Sequence, residues 1–118
     1  MSQPEWELRR GDLVLVNLEP VVGSETNKTR PAVVVSNDRA NLASPMLTVV
    51  PITSNTAHIY SFQVYLSPED SGLDHDSKVQ AEQVRSIDRR RVKRQLGQLP
   101  PAVMRQIDAA LKLHLSLE

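Results

Sequence analysis

The chain has 118 residues, of which 40% are hydrophobic and 24% are charged, and its formal net charge is zero. This length and balance predict one compact domain over residues 1–118, with a mainly aliphatic core because only four residues are aromatic: one Trp, one Phe and two Tyr. The lack of cysteine excludes disulfides and thiolate zinc sites, and the neutral total argues against a generic nucleic-acid binder.

Short apolar runs and alternating patterns predict six strands and one terminal helix. The predicted strands cover residues 13–18, 32–36, 46–50, 60–66, 78–87 and 95–99. We expect Pro51 to end the third strand and Asp88 to cap a short helical turn that runs to Val92. The segments 37–45 and 67–76 are predicted to be loops. Pro100 and Pro101 begin a helix with one apolar stripe, which we expect to lie against the sheet.

These elements predict a mainly β fold, a small curled antiparallel sheet with a C-terminal α-helix packed on it. No apolar run approaches the roughly 18 residues that span a bilayer. Residues 1–10 are polar, so we expect no signal peptide and a cytoplasmic protein.

Charge is distributed unevenly along the chain. Four acidic residues and no basic residue fall within 69–76, whereas residues 85–94 hold six basic residues against Asp88 alone. The neutral total can therefore hide a positive face that attracts an anionic partner. The alternative is that both runs are solvated loops.

Two polar segments at strand ends are candidates for chemistry. Arg30 precedes Pro31, which restricts Arg30 to an extended backbone at the start of a strand, and its planar fork of donors suits a phosphate. Thr53 and Ser54 follow the third strand. If the second and third strands pair, Arg30 and Thr53 would approach each other. The alternatives are an Arg paired with a carboxylate and ordinary turn residues.

The three histidines are weaker candidates. His58 is a minor candidate for an acid or base. His75, between Asp74 and Asp76, would attract a divalent cation only if further ligands were supplied, and none stand at metal spacing. His114 is expected at the edge of the core. Phosphate-binding glycine loops, nucleophile elbows, zinc-type histidine pairs and dinucleotide fingerprints are absent.

Taken together, several segments in order resemble the MazF/PemK toxin family. The segments that carry the resemblance are 10–16, 23–25, 28–35, 50–54, 72–77 and 82–88. The resemblance implies a small SH3-like barrel and a homodimeric endoribonuclease toxin, an mRNA interferase of a type II toxin–antitoxin system. Such a protein cuts single-stranded RNA at short motifs without a metal or other cofactor, and a cognate antitoxin neutralises it.

The resemblance also assigns roles to residues. It implies catalytic roles for Arg30, Thr53 and Glu25. The candidate RNA-binding residues are Ser24, Lys28, Ser54, Asn55, Gln83 and Arg85. The implied reaction is attack of a ribose 2′-hydroxyl on its own phosphate, which leaves a 2′,3′-cyclic phosphate and a 5′-hydroxyl. Arg is a poor base, so Arg30 is expected to stabilise charge or donate a proton, and Glu25 is the better candidate for the base.

Three features depart from the family pattern: Asn27, where many members have glycine, Ser86, where threonine is common, and the segment 88–94, which is richer in arginine than expected. This segment is a candidate for additional RNA or antitoxin contacts. Three alternatives to a nuclease stay open from the sequence. They are a CcdB-like gyrase poison of the same architecture, an SH3-like RNA-binding module without chemistry, and an inactive family member.

Overall fold

The computed structural model describes residues 7–18 and 29–118. Over these residues the chain forms a seven-stranded antiparallel sheet with three α-helices. The strands are β1 (Asp12–Asn17), β2 (Thr29–Val34), β3 (Met46–Thr53), β4 (Gln63–Leu66), β5 (Ser77–Gln80), β6 (Arg85–Asp88) and β7 (Val92–Gln98). The helices are α1 (Asp38–Ala43), α2 (Pro68–Ser71) and α3 (Pro101–His114), and 3-10 turns cover Ala81–Gln83 and Arg89–Arg91.

The sheet is organised around β1, β2 and β3. Strand β1 pairs with β2 on one side and with β7 on the other, and β2 pairs with β3. On its far side β3 changes partner: residues 46–49 pair with β6, and Ile52 and Thr53 pair with β5. Strand β4 completes the order beside β5. Among the described strands β4 and β7 end the strand order of this curled sheet, and β6 lies off that order, paired with β3 alone.

Alternation along the central strands fills two cores, one on each face of the sheet. On one face Leu13, Val33 and Val50 pack beneath α3, whose Ile107 is fully buried. The opposite face encloses a second aliphatic cluster, built from Leu8, Val14, Val16, Leu18, Ala32, Val34, Leu47, Val49, Ile87 and Val92. Both faces of β1 are therefore buried, as its unbroken apolar sequence predicts.

The mainly β, antiparallel fold with a C-terminal helix is confirmed, and so is the helix that begins at the Pro100–Pro101 pair. Asp88 caps a 3-10 turn as predicted, since its carboxylate accepts from the backbone N–H of Arg90 at 2.8 Å. The apolar stripe is confirmed at Val103 and Ile107. His114 is exposed and contacts the ring of Phe62, so its predicted place at the edge of the core is wrong.

Pro51 does not end β3, which continues to Thr53. A proline lacks the N–H that a ladder requires. At this point β3 is changing partner, because the pairing with β6 ends at Val49 and that with β5 begins at Ile52. The missing donor therefore interrupts no ladder on that side, and the strand carries on.

Other boundaries also differ from the prediction. Segment 37–45 contains α1, capped by the Asn37 side chain, and segment 67–76 contains α2, capped by Ser67. Only Gln63–Leu66 of the predicted strand 60–66 is extended, because residues 60–63 form a turn closed by a 2.9 Å bond from the Gln63 N–H to the Tyr60 carbonyl. The predicted strand 78–87 is interrupted by the 3-10 turn Ala81–Gln83. The last strand is longer than predicted.

Over residues 7–18 and 29–118, none of the helices is both long and apolar enough to cross a bilayer.

Candidate functional site

Strands β2 and β3 pair, and this pairing brings Arg30 and Thr53 together. Their antiparallel pairing runs from Val34–Val49 to Ala32–Pro51 and so ends close to Arg30 on β2 and Thr53 on β3. The Nη1 of Arg30 donates to the carbonyl oxygen of Ile52 at 3.3 Å, which directs the guanidinium towards the end of β3. The conditional prediction that these two side chains approach each other is confirmed.

The guanidinium of Arg30 is half-buried and only partly used by the protein. Among the described residues its buried Nε has no hydrogen-bond partner, and burial lowers the pKa of this guanidinium below its ordinary value. Within the described part of the chain no carboxylate forms an ion pair with it, which disfavours the alternative of a purely structural Arg. A buried donor that lacks a partner costs free energy, and such a cost is typical of a group reserved for a ligand.

Thr53 ends β3, and its hydroxyl is free to donate. Its Oγ1 accepts a bond from the backbone N–H of Asn55 at 3.2 Å, which leaves the hydroxyl proton available. The Asn55 side chain in turn accepts from the N–H of Ala57 at 3.2 Å. Thr53 and Asn55 thus stabilise a turn, as the alternative interpretation proposed, and Thr53 can still donate to a ligand.

Arg30 and Thr53 lie on the wall of an open cavity of about 290 Å³. The cavity is lined by Arg30, Pro31, Ile52, Thr53, Ser54, Leu73, Asp74, His75 and Ser77. One wall is the β2–β3 pair, and the other is the segment between α2 and β5. Gly72 ends α2 in the left-handed conformation at φ 75°, which turns the chain back towards the sheet.

The sequence prediction missed this second wall. Segment 72–77 was noted for its resemblance to a family motif and for its charge, but no cavity-lining role was assigned to it. The pairing of Thr53 with Lys78 on β5 places the segment beside β3. A capped turn of helix followed by glycine was the available signal, since such a glycine reverses the chain.

The remaining predicted site residues are dispersed. Ser54 lines the cavity, and Asn55 follows it in the exposed turn. Gln83 lies in the 3-10 turn and Arg85 on β6 opposite Val49, and neither is among the lining residues. The other three predicted residues, Ser24, Glu25 and Lys28, lie outside the described residues.

A polar strip continues from Thr53 across β5 to β4. Its side chain nearest to the site, Lys78, is only 8% exposed, and its Nζ donates to the His58 carbonyl at 2.6 Å. Further along, the Gln63 amide donates to the Glu82 carboxylate at 2.8 Å, and the Oε1 of Gln80 is buried without a partner. Lys78 thereby holds the segment between β3 and β4 against β5.

The histidines occupy three different environments. The His58 ring packs edge-on against Tyr60, with ring centroids 4.2 Å apart, and His114 lies on α3. His75 alone of the three lines the cavity. Among the residues that the structure describes, no three His, Asp or Glu side chains come together as a metal site would require.

Much of the basic run 85–94 stabilises the fold. Arg89 donates to the backbone carbonyls of Asn41 and Ser44 at 2.6 and 3.2 Å. The Arg90 side chain forms an ion pair with Asp88. Its hydrogen bonds and that of the Arg90 backbone N–H lower the pKa of the Asp88 carboxyl to about 2. Lys93 and Arg94 are exposed on the edge strand β7. The interpretation of a solvated run therefore applies to only part of the segment.

Comparison with known proteins gives a consistent result. Residues 9–115 match the family described as PemK-like, MazF-like toxins of type II toxin–antitoxin systems. Endoribonuclease MazF9 of Mycobacterium tuberculosis is 53% identical over 115 residues, which cover 93% of this chain and 98% of that protein. Crystallised MazF from Deinococcus radiodurans superposes with a TM-score of 0.82 at 30% identity, over 96% of this chain and all of that one (100%). MazE–MazF from the same organism superposes with a TM-score of 0.76 at 28% identity, over 97% of this chain and 100% of that one.

Proposed function

Because the chain belongs to the PemK-like, MazF-like family of type II toxins, we propose that it is a sequence-specific endoribonuclease that cleaves single-stranded mRNA. The observation that carries the proposal is the convergence of the Arg30 guanidinium and the Thr53 hydroxyl on one open cavity. The 53% identity to an endoribonuclease supports the same activity. These similarities favour a nuclease over a CcdB-like gyrase poison. No feature of the described residues supports the gyrase alternative.

The proposed reaction is transesterification within the RNA. The ribose 2′-oxygen attacks the adjacent phosphorus, the bond from phosphorus to the 5′-oxygen breaks, and the products are a 2′,3′-cyclic phosphate and a 5′-hydroxyl. Negative charge builds up on the phosphoryl oxygens in the transition state. Arg30 and Thr53 are the proposed donors to these oxygens, and removing one such donor costs about 3–4 kcal/mol in comparable oxyanion sites.

The environment of Arg30 suits this role. Its Nε has no partner among the described residues, so a phosphate oxygen would satisfy a donor that these residues leave unpaired. Partial burial also lowers the local dielectric constant, which strengthens the attraction between the guanidinium and the phosphate. The neighbouring hydroxyls of Thr53 and Ser54 would add neutral donors.

The proton of the attacking 2′-hydroxyl requires a base, and we assign this role to Glu25. An arginine guanidinium holds its proton to above about pH 12, so Arg30 is unsuited to accept one. A carboxylate next to the substrate can act as a general base once it is desolvated. Replacement of Glu25 by Gln should therefore reduce cleavage. If that variant kept full activity while Arg30→Ala had none, Glu25 would not be the base.

RNA outside the scissile phosphate would be bound by the other polar candidates. We assign this contact to Ser24, Lys28, Ser54, Asn55, Gln83 and Arg85. Ser54 and Asn55 directly follow Thr53, so bases next to the cleaved bond would reach them first. Gln83 and Arg85 would contact nucleotides further from it.

We also propose a homodimer in the cytoplasm and a cognate antitoxin as partner. The exposed apolar side chains Leu113, Leu115 and Leu117 at the end of α3 are 55%, 50% and 61% exposed, which is consistent with a protein that has an association surface. The related MazE–MazF structure supports a protein partner. Such an antitoxin would carry an acidic segment that covers the cavity and the basic side chains around it. Sedimentation of the free protein, and cleavage assays with the product of an adjacent gene, test both proposals.

The decisive experiment is incubation with a defined RNA in EDTA, followed by end-group analysis. We expect cyclic phosphate ends, with cleavage lost in Arg30→Ala. Thr53→Val removes the hydroxyl at nearly constant shape and should slow cleavage, whereas the matched variant Thr53→Ser should retain most activity. Cleavage that requires an added divalent cation, or ends that carry a 5′-phosphate, would refute the mechanism.

A further inference from the structure

The cavity contains an imidazole that the proposed chemistry has not used. The side chain belongs to His75, and the described lining holds no second imidazole. The cavity also holds one carboxylate on this wall, Asp74, together with the Arg30 guanidinium and the hydroxyls of Thr53, Ser54 and Ser77.

Transesterification needs two proton transfers, one from the 2′-hydroxyl and one to the departing 5′-oxygen. Glu25 is assigned to the first, and the second requires a donor. Arg30 gives up a proton poorly, and aliphatic hydroxyls such as that of Thr53 are weak acids. A carboxylate such as that of Asp74 only accepts hydrogen bonds and repels a phosphate. Imidazole is the side chain that most often serves as general acid in proteins near neutral pH.

The position of His75 is set by its backbone. Gly72 turns the chain at the end of α2, and the Ser77 hydroxyl donates to the His75 carbonyl at 3.0 Å. The residue itself is exposed, so its ring is open to a ligand in the cavity. The backbone anchor does not involve the imidazole, and substitution of the ring should leave the segment folded.

The charged groups around His75 are partly committed to other partners. On its own segment Asp76 accepts from the Tyr65 hydroxyl at 2.8 Å, and Asp74 lines the cavity beside it. From β5, Lys78 directs its ammonium to the His58 carbonyl. From β2, Arg30 lines the same cavity as His75. A phosphate between Arg30 and an imidazolium would therefore contact positive charge on two sides.

We propose that His75 is the general acid of the cleavage reaction, an inference that rests on the proposed ribonuclease function. As the 2′-oxygen bonds to phosphorus and its proton passes to Glu25, the bond to the 5′-oxygen breaks and the imidazolium gives its proton to that oxygen. The neutral imidazole and the protonated carboxyl then exchange protons with water, which restores both groups. No co-reactant is needed.

The test compares two RNA substrates that differ in one atom. In the second, sulfur replaces the bridging 5′-oxygen at the cleaved bond. A thiolate leaves without a proton because a thiol ionises at about pH 8.5. On the ordinary substrate, His75→Gln should lower kcat by about 10²–10⁴-fold, the usual contribution of a general acid. On the sulfur substrate the same variant should cleave at nearly the wild-type rate.

Two controls separate chemistry from folding. His114→Gln changes an exposed histidine on α3 and should behave as wild type on both substrates. Added imidazole should partly restore cleavage of the ordinary substrate by His75→Ala, because a small acid can then enter the vacated space. A structural role of His75 would give neither the sulfur recovery nor the imidazole rescue.

The outcomes also separate this inference from the function on which it rests. If the wild-type protein leaves RNA intact, the ribonuclease proposal fails. If wild type cleaves, Arg30→Ala is dead and His75→Gln is fully active, only the role of His75 is overturned. Equal losses on the oxygen and sulfur substrates would likewise overturn it, and recovery in His58→Gln rather than His75→Gln would move the role to His58.

Discussion

Replacing Arg30 by methionine should stabilise the protein while it abolishes cleavage. Within residues 7–18 and 29–118 no group accepts a hydrogen bond from the buried Arg30 Nε, and such an unpaired donor costs about 1–3 kcal/mol. The substitution also removes the long 3.3 Å bond from Nη1 to the Ile52 carbonyl, which contributes about 0.5–1.5 kcal/mol. Methionine keeps an unbranched stem of similar length. We therefore expect the free energy of unfolding to rise by about 1 kcal/mol.

The assay pairs urea denaturation with cleavage of a fluorogenic RNA in EDTA. A rise of about 1 kcal/mol corresponds to a melting temperature about 3–6 °C higher for a chain of this size. Cleavage should fall by a factor of about 10²–10³. All proteins are compared at one concentration, because association would make their stability depend on it.

Arg10→Met is the matched control for Arg30→Met. The Arg10 Nε donates to the Val35 carbonyl at 2.9 Å and its guanidinium pairs with Asp108. Replacing Arg10 therefore removes two interactions and relieves no unpaired donor. This variant should be destabilised by about 1 kcal/mol and should still cleave RNA. If Arg30→Met is as destabilised as Arg10→Met, Arg30 is a structural residue and the argument from its unpaired donor is wrong.

Three further predictions concern the fold. Asp88→Asn should lower the melting temperature at neutral pH. The pKa of Asp88 in the folded state, about 2, lies below its ordinary value of 3.8, so the difference between variant and wild type should vanish as the pH falls from about 4 to 2. Melting curves at several pH values test this. Ile107→Ala should lower the free energy of unfolding in urea by about 2–5 kcal/mol, whereas Gln106→Ala on the exposed face of α3 should change it by less than about 0.5 kcal/mol. Equal losses would contradict the packing of this helix. Gly72→Ala should lower the free energy of unfolding by about 1–2 kcal/mol, because a φ of 75° disfavours any residue with a side chain. Steric contact adds nothing, since no atom lies within 4 Å of the added Cβ, and an unchanged denaturation midpoint would refute the prediction.

The sequence predicted elements whose pattern is local and repeated. The apolar run of β1 and the stripe of α3 each bury a continuous surface, so their periodicity identifies them directly. The predictions failed where a distant contact or a single cap decided the outcome. Pro51 stays within β3 because of a change of partner strand, which a local pattern does not contain.

The candidate site was predicted only on one side. The Arg30–Pro31 pair and the polar residues after β3 were visible because both stand at strand ends, and pairing of neighbouring strands then joins them. The wall that carries His75 lies further along the chain, at residues 73–77, and the pairing of Thr53 with Lys78 brings it to the site. Charge alone suggested a metal for His75, and its proximity to Arg30 required the fold.

The change of partner along β3 has a consequence for how such a protein diversifies. The pairing of β2 with β3 brings Arg30 and Thr53 to one cavity without help from the segment that connects β3 to β4. That connection can lengthen, shorten or exchange its side chains while the pair keeps its spacing. Descendants of one ancestor would then acquire new preferences for the bases they read and still share a single way of breaking the strand.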